Sequence, residues 1–159
     1  MMKKILISYF SKSGNTEKMA NSIQQGVKLV DGIEVIVKKI QDTTIDDLVA
    51  ADGIIIGSPT YFGAMAAQVK DLMDQSVKYF GKFTGKIGGA FTSSGNVAGG
   101  NETTILSILN GFLIHGMILQ GMQKGNHYGP VAIGAPDDNS RNECINYGKL
   151  LGNLVLKVS

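Results

Sequence analysis

KILISYFSKSGNT, residues Lys4 to Thr16, decides the architecture of this chain. Lys4 to Phe10 is a short apolar run that ends at Ser11, the pattern of a buried strand. From Asn15 to Leu29 the apolar residues Met19, Ala20, Ile23 and Val27 recur at helical spacing. Ser11-Lys12-Ser13-Gly14-Asn15-Thr16 is therefore a tight strand-to-helix junction. It offers hydroxyls, a flexible glycine and unpaired amides at a helix N-terminus. Those amides and the helix dipole both favour negative charge, so a phosphate fits there. Helix capping by Ser, Asn or Thr is the plainer reading, but one cap explains one such group rather than a run of them.

The same alternation continues outward. Ile33 to Ile40 is β-branched and reads as a second strand, and Gln41 to Asp52 carries a short helix around Ile45, Leu48 and Val49. Gly53 to Gly57 holds three consecutive isoleucines, too apolar to face water on either side. Met65, Val69, Leu72, Met73 and Val77 define another amphipathic helix, and Ile87 to Thr92 a fourth strand. Asn101 to Ile114 is apolar on several faces and calls for burial, in part against another subunit. Met117 to Leu119 and Val131 to Ile133 read as two pieces of one fifth strand, broken by a glycine-bearing loop. Tyr147, Leu151, Leu154, Val155 and Val158 share one face of a final helix, with Asp137-Asp138 as the turn and acidic start before it.

Strict alternation with buried strands predicts an α/β fold: a doubly wound five-stranded parallel sheet, strand order 2-1-3-4-5, with helices on both faces. The 159 residues suit a single domain over residues 1–159. Ligands of such sheets bind beyond the carboxyl ends of the strands, at the switch between strands 1 and 3. Three unusual loops follow strands 1, 3 and 4, so all three are expected at that edge.

The second of these is Ser58-Pro59-Thr60-Tyr61-Phe62-Gly63. Two adjacent aromatics at a strand end cover either a flat ring or a protein or subunit contact. The third, Thr92-Ser93-Ser94-Gly95-Asn96-Val97-Ala98-Gly99-Gly100, is too small and polar for core. Its amides and hydroxyls suit the polar edge of a ring, and its glycines equally suit a flexible loop. Neither the Walker pattern nor Gly-x-Gly-x-x-Gly follows the first strand, which counts against nucleotide hydrolysis and dinucleotide binding of the Rossmann type.

These motifs resemble a known family. The first loop is similar to the flavodoxin phosphate loop Ser-x-Ser/Thr-Gly-Asn-Thr. Pro59-Thr60-Tyr61-Phe62-Gly63 resembles the Pro-Thr-x-Phe-Gly loop of the tryptophan-repressor-binding-protein branch, with Tyr61 where that branch has arginine. The stretches Ser94-Gly95 to Asn101-Glu102, His115-Gly116-Met117 and Tyr128-Gly129 resemble the same branch, whose members are NAD(P)H:quinone oxidoreductases.

The resemblance implies noncovalent FMN as cofactor. Ser11, Lys12, Ser13, Gly14, Asn15 and Thr16 would hold its phosphate. Pro59, Thr60, Tyr61, Phe62 and Gly63 would line the ribityl chain and ring, and Ser93, Ser94, Gly95, Asn96 and Val97 the ring's polar edge. His115, otherwise a helix C-terminal cap, becomes the expected catalytic group beside the flavin. NAD(P)H is the implied donor and a quinone-like small molecule the acceptor; a flavodoxin-type carrier without its own substrate is the alternative.

Composition bounds the rest. Net charge is +2 and the 15 basic residues form no stripe, which gives no reason to expect nucleic acid. The single cysteine, Cys144, reads as a small apolar helix residue and fits a reducing, cytoplasmic setting. The apolar start is too short for a signal peptide, and no stretch approaches a membrane span. The apolar fourth helix and exposed aromatics invite a homo-oligomer.

Overall fold

A computed structural model describes residues 2–158. Its strands are β1 (Lys3–Tyr9), β2 (Ile33–Lys39), β3 (Gly53–Pro59), β4 (Ile87–Ser94), β5 (Ile118–Leu119) and β6 (Val131–Ile133). The helices are α1 (Asn15–Lys28), α2 (Ile45–Ala50), α3 (Ala67–Gln75), α4 (Asn101–Ile114) and α5 (Asp138–Val158). All strand pairings are parallel, in the order β2-β1-β3-β4-β5, with β6 also on β4. This is the expected flavodoxin-like topology.

Side-chain alternation along each strand builds two cores. Ile5, Ile7, Tyr9, Ile55 and Phe91 point to the face covered by α1 and α5. Leu6, Ile54, Ile56 and Ala90 point to the face covered by α2, α3 and α4. The α1–α5 crossing is close because Gly26 and Gly148 are bare where each helix meets the other's backbone, at Ile145 O and Ile23 O.

The fifth strand is broken, as its sequence suggests. β5 pairs with the start of β4 at Ile87 and Gly88, and β6 with its end at Thr92 to Ser94. Over the gap, the Ala90 amide donates to the Tyr147 hydroxyl (3.2 Å). Gly129 lies against the Ala90 carbonyl where no side chain fits.

Element ends differ modestly from the expectation. β3 runs on to Pro59 and β4 to Ser94, because Ser58 pairs with Thr92 and Pro59 with Ser93. Thr92, Ser93 and Ser94 of the third loop, and Ser58 and Pro59 of the second, thus belong to strand ends. The helix expected to reach Val77 stops at Gln75 and tightens into a 3-10 turn at Ser76–Tyr79. Among the described residues no helix is long and apolar enough to cross a membrane.

Candidate functional site

The three loops meet at one edge, and Ser93 is where they meet. Its hydroxyl is 2.9 Å from that of Thr16, which is buried at the start of α1. Its carbonyl accepts from the Thr60 amide at 2.8 Å. The first, second and third loops are therefore tied together at the carboxyl ends of β1, β3 and β4.

The first loop is shaped by Gly14, which caps α1 in the left-handed region (φ 91) with open space where a side chain would stand. Ser11 Oγ accepts from the Gly14 and Glu17 amides, at 3.1 and 3.3 Å. The amides of Lys12, Ser13, Asn15 and Thr16 have no acceptor among the described residues. Four free N–H groups around a bare glycine at a helix N-terminus make a cradle that fits a phosphate. The Thr16 side chain is spent on the brace to Ser93, so its share in such a site falls to its amide.

In the second loop Tyr61 and Ala64 exchange both backbone hydrogen bonds, at 3.1 and 3.0 Å. That forces Phe62 (φ 52) and Gly63 (φ 72) into the left-handed region at the tip. The Phe62 ring is wholly exposed and Tyr61 partly so. A bulky residue held with positive φ and facing solvent is a strained arrangement of the kind found at ligand contacts. Thr92 Oγ1 donates to Ser58 O (2.7 Å), which leaves it to accept from Thr60 Oγ1 (2.8 Å).

The third loop is ordered by its own polar groups. Ser94 Oγ donates to Asn96 O and accepts from Asn101 Nδ2, both at 2.9 Å, while Asn101 Oδ1 accepts from the Gly99 amide. These bonds give the loop a defined conformation rather than leaving its polar groups unpaired. Gly100 (φ 97) caps α4 and abuts the second loop: a Cβ there would stand 2.7 Å from Gly63 Cα. Asn96 and Val97 are exposed on the outer side. Beside them a cleft of about 550 Å³ opens, lined by Val97, Glu102, Asn126 and Ile133 among others.

His115 requires a correction. It ends α4, which runs back from the carboxyl edge, and the Gly116 carbonyl accepts from the Gly85 amide just before β4 begins. It lies at the amino ends of the strands, about 20–25 Å from the loops at the strand rise of ~3.3 Å per residue. In this chain it cannot touch a ligand held at the carboxyl edge. It is buried beside Phe83 (ring centroids 4.6 Å apart), and burial holds its pKa below the usual imidazole value. Ser76 Oγ donates to Met73 O (2.6 Å), so His115 Nε2–H donates to Ser76 (2.7 Å) and Nδ1 is left without a partner.

Cys144 is fully buried in the core, its thiol pushed up to about 12 chiefly by burial. Asp137 accepts from the Ser140 amide and hydroxyl at the start of α5, the turn-and-cap role expected of that acidic pair. Sequence reasoning missed the bracing roles of Thr92 and Asn101. The local signal for the latter is a polar amide side chain directly after Gly99-Gly100 at a helix start.

A parallel 2-1-3-4-5 sheet with an anion cradle after β1 and two loops closing on it from β3 and β4 defines a flavodoxin-like protein. The model of the NADPH-dependent FMN reductase family matches residues 36–125. A flavodoxin of Aquifex aeolicus is 36% identical, over 97% of this chain and 88% of its own length. An NAD(P)H dehydrogenase (quinone) of Rhodopseudomonas palustris is 35% identical, over 85% of this chain and 80% of its own. The crystal structure of a flavodoxin, WrbA-like protein from Agrobacterium tumefaciens superposes with a TM-score of 0.85 at 25% identity, covering 99% of both chains. The chain belongs to the flavodoxin-like FMN reductase family.

Proposed function

We propose that this protein is an FMN-dependent oxidoreductase that takes electrons from NAD(P)H and delivers them to a quinone-like acceptor. The observation that carries the reading is the Ser93 junction, which brings the phosphate cradle to the two loops that would flank a ring. The amides of Lys12, Ser13, Asn15 and Thr16 bind the phosphate. Thr60, Tyr61, Phe62 and Gly63 line the ribityl chain and one side of the ring, and the backbone from Ser93 to Val97 meets its polar edge. When bound, the flavin supplies the two-electron redox chemistry. The residues bind and orient it, and no protein nucleophile is called for.

The quinone dehydrogenase relative supports the acceptor class, as do the exposed apolar side chains of the second and third loops and the end of β6: Tyr61, Phe62, Val97 and Ile133. Such a rim suits an uncharged planar molecule. The 36% identity to a flavodoxin supports a second reading, an electron carrier with no substrate of its own. A net charge of +2 gives little electrostatic steering towards the basic partners such carriers serve. The test is twofold. Purified protein should show the visible bands of bound oxidised flavin. The FMN-loaded protein should then turn over NADH or NADPH with a soluble benzoquinone. Bound flavin without turnover rejects the enzyme in favour of the carrier; colourless protein that leaves FMN fluorescence unquenched rejects both.

A further inference from the structure

Glu17 occupies the third position of α1, counted from its cap Gly14. From that position a carboxylate can reach back to the amide of the cap residue, beside the other unpaired amides of the helix start. α2 of this same chain shows the arrangement: Asp47, third after Thr44, accepts from the Thr44 amide and hydroxyl, both at 2.8 Å. In α1 it does not form. The Gly14 amide goes to Ser11 Oγ instead, and the Glu17 carboxylate is turned aside to accept from the Tyr9 hydroxyl at 2.8 Å.

Tyr9 is well placed to hold it. It ends β1, two residues before the loop, and its ring is buried under α1. Burial, the hydrogen bond to Glu17 and the nearby charges of Glu17 and Asp42 push its hydroxyl up to about 12. It is therefore a donor at every physiological pH.

We infer that Tyr9 is a positioning residue for the phosphate cradle: it withholds the Glu17 carboxylate from the free amides of the first loop, so that a phosphate can use them. A carboxylate released next to those amides is an internal competitor for the ligand. It is tethered one helical turn away and carries the same sign of charge. This inference rests on the FMN reading of the site above and assigns to Tyr9 and Glu17 a role distinct from ligand contact.

The test is flavin binding to flavin-free protein, read by fluorescence quenching with FMN and with riboflavin, which lacks the phosphate. Tyr9→Phe keeps the buried ring and removes only the donor. Its FMN dissociation constant should rise roughly tenfold, the size expected when one charge-assisted hydrogen bond is lost to a competitor. Riboflavin binding should stay within about twofold of wild type, because the competitor acts only at the phosphate subsite. Adding Glu17→Gln should restore FMN binding in the double variant, since a neutral amide is a poor rival for the cradle.

Equal weakening of FMN and riboflavin by Tyr9→Phe would mean general loosening and overturns the inference. So does failure of Glu17→Gln to restore binding, or a Tyr9→Phe protein indistinguishable from wild type. If wild type itself binds FMN no better than riboflavin, the phosphate cradle is wrong and this inference falls with it. The wild-type comparison thus separates the two failures.

Discussion

Replacing Gly100 by Ala tests whether the second and third loops form one rigid slot. Two costs can be read from the structure. Gly100 has φ 97, and an L-residue in the left-handed region costs about 1–2 kcal/mol. The added Cβ would also stand 2.7 Å from Gly63 Cα and 3.2 Å from Gly63 N, against an ordinary contact of ~3.5–4.0 Å. The obstacle is backbone, so one loop must retreat by roughly 1 Å, at an overpacking cost of about 1–3 kcal/mol. Together these lower Tm by about 4–20 °C for a domain of this size. Gly81→Ala is the control: it has φ 90 but nothing within 4 Å of the new Cβ, so only the conformational cost applies, about 2–8 °C. Thermal melts of the flavin-free variants measure the difference. FMN affinity should drop by an order of magnitude in Gly100→Ala alone, because a site tolerates only ~0.5 Å of distortion. Equal melting temperatures for the two variants, or unchanged FMN binding in Gly100→Ala, would refute the rigid slot.

Further outcomes follow from other parts of the molecule. Phe62→Gly relieves a left-handed, fully exposed residue, so it should raise the stability of the flavin-free protein by about 1 kcal/mol while weakening FMN binding; a variant that melts lower would contradict the strain. His115 has a pKa lowered by burial, so the folded state binds fewer protons than the unfolded one. Its contribution is complete above about pH 6.5 and is lost as pH falls through that value towards the lower folded-state pKa. His115→Gln should flatten urea-measured stability against pH over that window, while leaving FMN affinity at pH 7.5 unchanged. Cys144 should resist a thiol reagent at pH 8 in the native protein and react promptly in denaturant.

Much of the architecture was legible because burial is written in residue type. Ile54 to Ile56 and Ile5 to Ile7 can only be interior strands, and their order with amphipathic helices sets the winding. The bounds of α4, Asn101–Ile114, agree with the expectation because glycines bracket them at Gly100 and Gly116. Strand ends were harder to read. Ser93 and Ser94 carry no local signal for a strand, and they become one only because Pro59 and Ile133 lie alongside. The anion cradle was legible as a run of polar residues around Gly14, but which hydroxyls face inward was not. That is decided by the partner strand, where Ser93 draws Thr16 into the brace. His115 shows how two lines of reasoning can conflict. Its motif points to the flavin, whereas strand–helix alternation sends every helix C-terminus to the far edge. In this chain the topology prevails.

The interrupted outer strand has a consequence for how the protein keeps to itself in a crowded solution. A sheet margin normally offers a row of open amides and carbonyls on which a neighbouring chain can add a strand. Here the two short outer segments, the Tyr147 hydroxyl on the Ala90 amide and Gly129 against the Ala90 carbonyl close that row in pieces. No extended ribbon is left on this side of the sheet, whose other margin is the seven-residue β2. The segment between the two pieces can therefore change length and composition without exposing a continuous run of β4 at this margin.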